Sequence, residues 1–269
     1  MMPRFWQALI SIWVWIVLVV TVLINFPLMV IVRLVTAPFD PGRYRVGRLF
    51  RWTCIVVASA NPLWRFRRSG VELRDPRRPY VVVSNHESFA DILLISHLPW
   101  EMKWLSKAEL FRIPFVGWMM SLAGDVPVKR GVGTSAVEAM RSCRERLASR
   151  VSVMIFPEGT RSPSGRLLPF KDGAFRLAVE AGVPVLPLTV VGTRNALPKK
   201  GWLMGRSVAH VRVLEPVETA GLTLDDVPAL RDRVRSLIDA AHAEISGTSR
   251  PSAQVSGSAH PPDRSGQAE

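Results

Sequence analysis

Two short blocks carry the residue types of acid–base chemistry. In NHESFAD, residues 85–91, a histidine stands five positions ahead of an aspartate, and in FPEGTRS, residues 156–162, a glutamate and an arginine bracket a glycine. Imidazole titrates nearest neutral pH, so His86 is suited to take a proton from a hydroxyl that is attacking a carbonyl. A carboxylate on the other ring nitrogen, Asp91, would fix the tautomer and stabilise the imidazolium that forms. Arg161 suits phosphate, because guanidinium meets phosphate oxygens through paired, charge-assisted hydrogen bonds. Glu158 can accept a hydrogen bond from an acceptor hydroxyl or orient Arg161. Each residue also has a plain structural use. Ser88 and Asp91 make an S-x-x-D capping box, Pro157, Gly159 and Ser162 are ordinary turn formers, and Arg130 and Arg161 could sit in surface ion pairs. A turn, however, needs neither the glutamate nor the arginine.

Something must hold these blocks together. Strand-like runs occupy Trp64 to Leu73, Tyr80 to Ser84, Asp125 to Val128, Val151 to Phe156, Val183 to Val191 and Val208 to Leu214. Helical patterns fall between them, at Phe89 to Leu98, Lys107 to Leu122, Thr134 to Ser149, Gly173 to Ala181 and Val227 to Ile245. The alternation predicts an α/β domain with a mostly parallel sheet flanked by helices. His86 and Glu158 each follow a strand, so both can meet at one edge of that sheet, where ligands usually bind.

Ahead of the domain, residues 5–32 are 28 positions without a charge, about 42 Å as a helix against a hydrocarbon core of about 30 Å. Asn25 and Pro27 interrupt the run, which leaves a tilted span, a kinked helix or a re-entrant hairpin open. It is too long for the apolar region of a signal peptide. From Arg33 to Arg78 there are eleven arginines and three acids, a surplus of +8 out of a net charge of +13. Basic charge directly after the most apolar segment points to anionic membrane lipid rather than to nucleic acid. Tyr44 to Ala60 mixes arginines with apolar residues at three-to-four spacing, as an interfacial helix does. The expected organisation is a membrane-anchoring helical segment over 1–42, a catalytic domain over 43–246 and a disordered tail over 247–269. Cys54 and Cys143 lack metal-ligand spacing and read as structural thiols of a reducing compartment. No metal site, glycine-rich dinucleotide loop or P-loop is expected. His97, His210 and His242 stand outside any motif and read as surface or structural.

The chain resembles the glycerolipid acyltransferases typified by 1-acyl-glycerol-3-phosphate acyltransferase. Four blocks occur in that family's order: NHESFAD, the segment from Lys107 to Arg130, FPEGTRS, and VPVLPLTV from Val183 to Val190. The resemblance implies His86 as catalytic base and Asp91 as its partner. It also implies that Glu158, Gly159, Thr160, Arg161 and Arg130 bind the acceptor, with Lys107 near the active site. One departure is the run Pro127, Val128, Lys129, Arg130, where many relatives carry an acid in place of Lys129. The implied reaction is transfer of an acyl group from acyl-CoA or acyl carrier protein, without a cofactor, to a lysophospholipid, foremost 1-acyl-glycerol 3-phosphate. Alternatives are another lysolipid acceptor such as a lyso-aminolipid, a serine hydrolase using Ser84 or Ser88, and a non-catalytic lipid binder. The expected place is the inner membrane with the catalytic domain facing the cytoplasm, where acyl thioesters are supplied.

Overall fold

The computed structural model describes residues 3–129, 131–198 and 201–247. Its first element, α1 (Arg4–Thr36), runs unbroken through Asn25 and Pro27, so the apolar run is one helix and not a hairpin within itself. Asn25 is not a break but a tie: its side chain donates to the Leu49 carbonyl at 3.0 Å and to the Thr53 hydroxyl on α2 (Tyr44–Ser59). Between the two helices, Asp40 accepts from the backbone amides of Tyr44 and Arg45 at 3.0 and 2.8 Å. That satisfies the unpaired donors at the start of α2 and turns the chain back on itself.

The strands are β1 (Trp64–Gly70), β2 (Val81–Ser84), β3 (Met102–Lys107), β4 (Val126–Val128), β5 (Ser152–Ile155), β6 (Val185–Val191) and β7 (Ser207–Val213), in the order β1-β7-β6-β2-β5-β3-β4. The run from β6 to β4 is parallel throughout. The β1-β7 pair is parallel within itself and joins β6 antiparallel. This bears out a mostly parallel sheet. Helices α3 (Ala90–Ile95), α5 (Gly133–Ala148), α6 (Gly173–Ala181) and α7 (Val227–Ile245) cover it, with α4 (Val116–Ala123) packed on α1 and α2.

Strand β2 shows why the layers form. Val81 and Val83 pack under α5, α6 and α7, whereas Val82 packs with Leu94, Ile95 and Met154 on the opposite face. Successive side chains on a strand point to opposite faces, and here both faces are covered. All three valines are fully buried, which stabilises the fold by about 1.5 kcal/mol or more for each.

One expected helix is corrected. Lys107 to Leu122 is not a single helix: Lys107 closes β3, Ala108–Arg112 form a tight helical turn, and α4 begins at Val116. Pro114 has no amide proton and pushes Ile113 into an extended conformation, observed at ψ 122°. Arg130 and residues 248–269 of the expected tail lie outside the described residues.

Candidate active site

Parallel neighbours β2 and β5 end side by side, and both chemical blocks start there. The Asn85 side chain clasps β6 by donating to the Val190 carbonyl and accepting from its amide, both at 2.8 Å, which pins the loop leaving β2. Two further bonds stitch the blocks together. The His86 amide donates to Glu158 Oε1 at 3.1 Å, and the Ser162 amide donates to the His86 carbonyl at 2.8 Å.

His86 Nδ1 lies 2.7 Å from Asp91 Oδ2. A carboxylate there can only accept, so the proton sits on Nδ1 and Nε2 keeps a lone pair. Nε2 has no partner among the described residues. The ring stacks on Phe156, centroids 3.9 Å apart at 14°, which holds its plane. The same Asp91 oxygen accepts from the amides of Glu87 at 2.7 Å and Ser88 at 3.0 Å. Asp91 therefore closes the helix start and orients the histidine at once. The two readings of that residue are not rivals.

Ser84 and Ser88 are engaged elsewhere. Ser84 Oγ donates to the Asn85 carbonyl at 3.0 Å and Ser88 Oγ to the Leu197 carbonyl at 3.3 Å. Neither hydroxyl bonds the imidazole, which removes the geometric basis for a serine nucleophile.

In the second block, the turn closes with the Gly159 amide on the Phe156 carbonyl at 3.0 Å. Gly159 has φ +70°, a conformation glycine adopts without strain. Thr160 is exposed and Arg161 half-buried. The Arg161 guanidinium has no partner among the described residues. Lys171, absent from the sequence reading, reaches the same turn: its Nζ lies 3.1 Å from where a side chain on Gly159 would begin. Lys107, at the end of β3, leans on Glu109 at 3.5 Å instead of contacting His86 or Glu158.

Burial pushes the Glu158 carboxyl up to about 7, against the lowering effect of the His86 and Leu168 amides. Its Oε2 is buried without a partner among the described residues, so a neutral carboxylic acid is the better-tolerated form below that pH. A raised acid binds more protons folded than unfolded. Its contribution is present below the ordinary carboxylate range and is lost as pH rises through about 7. Glu158→Gln mimics the neutral form. Melting curves of the variant should match wild type at about pH 4 and exceed it at about pH 8; an offset independent of pH would contradict this assignment.

A histidine–aspartate pair at the C-terminal edge of a parallel sheet, tied to the turn that carries Arg161, describes a class of α/β transferase site. The comparisons agree. Residues 65–191 match the Acyltransferase family model. The human 1-acyl-sn-glycerol-3-phosphate acyltransferase beta is 38% identical over 194 residues, covering 70% of each chain. A crystal structure of the 1-acyl-sn-glycerophosphate (LPA) acyltransferase PlsC from Thermotoga maritima superposes with a TM-score of 0.78 at 26% identity, over 93% of this chain and 100% of that one. A chloroplastic 1-acyl-sn-glycerol-3-phosphate acyltransferase from Brassica napus is 45% identical over 141 residues, a match that spans 52% of this chain and only 41% of that protein. The chain belongs to the 1-acyl-sn-glycerol-3-phosphate acyltransferase family.

Proposed function

We propose that this protein is a membrane-bound O-acyltransferase that esterifies the free hydroxyl of 1-acyl-glycerol 3-phosphate from an acyl thioester, giving phosphatidic acid. The observation that carries the reading is the oriented pair, His86 Nδ1 on buried Asp91 with Nε2 unpartnered. The acceptor hydroxyl gives its proton to His86 Nε2 as its oxygen attacks the thioester carbonyl carbon. Asp91 stabilises the resulting imidazolium. When the tetrahedral adduct collapses, the carbon–sulfur bond breaks and the imidazolium returns the proton to the leaving thiolate. The co-substrate is acyl-CoA or acyl carrier protein, and the step as written uses no cofactor.

Arg161 is the candidate phosphate ligand, with Arg130 as a second cation and Glu158, Gly159 and Thr160 shaping the turn. Expected result: Arg161→Ala raises KM for lysophosphatidic acid about tenfold or more, and Arg161→Lys recovers only part, since a point charge lacks the paired donors. Steady-state kinetics with 1-acylglycerol as a phosphate-free acceptor check it. Equal losses on both acceptors would place Arg161 away from the phosphate.

The membrane reading rests on α1, which is 33 residues long and reaches a mean hydropathy of 2.7 over an 18-residue stretch. One side of it docks on the protein through Val14, Val22 and Met29, while Trp6, Val19, Leu23, Ile24 and Ile31 are exposed. Such an apolar exterior is accounted for by lipid. The proposed organisation keeps residues 1–42 as the anchor and 43–246 as the catalytic domain, on the cytoplasmic face of the inner membrane. Yield of phosphatidic acid from purified protein, lysophosphatidic acid and acyl-CoA in mixed micelles tests the activity. Protease accessibility in sealed vesicles of known orientation tests the sidedness.

A further inference from the structure

The catalytic pair is braced by a residue outside both motifs. Asp91 Oδ2 is fully occupied by His86 and the amides of Glu87 and Ser88. Its other oxygen, Oδ1, has one donor among the described residues, the hydroxyl of Thr193. Both residues are completely buried, so without that hydroxyl a carboxylate oxygen would stand unpaired in a dry site and the group would be free to rotate about its last bond.

The turn that carries Thr193 has little freedom. Gly192 sits at φ +91°, and a side chain there would begin 2.3 Å from the Val208 carbonyl oxygen. The Gly192 carbonyl accepts from Ser207 Oγ at 2.8 Å, and the Thr193 carbonyl accepts from the Ala196 amide at 2.8 Å. The Gly192 amide donates to Glu87 Oε2 at 3.2 Å, while Glu87 Oε1 meets His242 Nε2 of α7 at 3.1 Å. Glu87 Oε2 is also 3.5 Å from Thr193 Oγ1, beyond an ordinary hydroxyl bond. The single hydroxyl proton of Thr193 therefore goes to Asp91.

We propose that Thr193 is a positioning residue for the reaction: its hydroxyl holds the Asp91 carboxylate in the orientation that presents Oδ2 to His86, and the Glu87–His242 pair anchors its turn to the C-terminal helix. The inference rests on the acyl-transfer reading and goes beyond it, since Thr193 and His242 both lie past residue 191, where the family match stops.

Two substitutions at Thr193 separate a positioning role from packing. Thr193→Val keeps the shape and removes the donor; Thr193→Ser keeps the donor and removes a methyl. If the hydroxyl positions Asp91, the valine variant loses roughly tenfold to a hundredfold in kcat with KM for lysophosphatidic acid nearly unchanged. The serine variant stays close to wild type. If the residue only fills space, the order reverses. Full-length protein in mixed micelles, with lysophosphatidic acid and acyl-CoA as probes and melting curves in parallel, gives the comparison. A valine variant as active as wild type, or a serine variant as poor as valine, overturns the proposal. Should the valine variant fail to fold, His242→Ala and His242→Gln carry the test: glutamine returns a donor to Glu87 and should restore kcat, and equal rates for the two would overturn the anchoring role. Wild-type protein that makes no phosphatidic acid would overturn the acyl-transfer reading and this one together, whereas an active wild type with an unaffected valine variant sinks this one alone.

Discussion

Replacing His86 with alanine is expected to lower kcat about a thousandfold or more, because the proposed step has its Nε2 take the proton from the attacking hydroxyl. The fold should survive. The side chain has one polar partner, and its loss leaves Asp91 with two backbone amides and the Thr193 hydroxyl. Asp91→Asn should be nearly as damaging for a different reason. Its amide can donate toward Nδ1, which favours the tautomer with the proton on Nε2, where the base lone pair is needed. Phosphatidic acid formation in variants whose melting curves match wild type measures both effects. A folded His86→Ala protein of full activity would remove the imidazole from the mechanism.

The second large effect concerns stability and lies away from the chemistry. Lys103 on β3 is completely buried. Its ammonium donates to Glu101 Oε1 at 3.0 Å and to the Arg43 carbonyl at 2.8 Å. Arg51 of α2 reaches Glu101 at 3.7 Å and also pairs with Asp125, whose Oδ1 accepts from the Trp104 amide at 3.0 Å. Two cations and two anions thus join the helix after the apolar anchor to the sheet. Burial pushes the Lys103 ammonium down and the Glu101 carboxyl up from their ordinary values, and each opposes the other's shift. Lys103→Met leaves Glu101 with only the 3.7 Å contact to Arg51 and should cost about 3–5 kcal/mol. Adding Glu101→Leu should recover much of that loss, since a buried pair replaced by apolar groups can be close to neutral whereas a broken one is not. Denaturant unfolding of the single and double variants decides it. A single variant within error of wild type would mean the charges are not desolvated.

Cys143 illustrates a simpler outcome. It is fully buried on α5 and its thiol is pushed up to about 12 by burial, as an inert structural cysteine should be. Cys54 is likewise a free thiol.

By itself the sequence determined that His86 and Asp91 stand as a pair, and that the strand ends bearing the two blocks belong to an α/β sheet. Five-residue spacing at the start of a helix brings His86 and Asp91 together through local geometry alone. Two covered faces demand near-continuous apolar runs, and these were legible in β2, β5 and β6. What remained hidden depends on partners far apart in the chain. Strand β3 was missed because Lys103, its second residue, looks like a surface residue. Glu101 beside it and the Arg43 carbonyl just before α2 make its burial tolerable. The expected long helix after it fails at Pro114, a local signal outweighed in the reading by the apolar residues on either side. Thr193 and His242 carry no motif, and they reach Asp91 and Glu87 across 102 and 155 positions. Local spacing can place a histidine beside its aspartate. Holding the far side of that aspartate takes a donor from the turn after β6, and only the folded sheet brings one there.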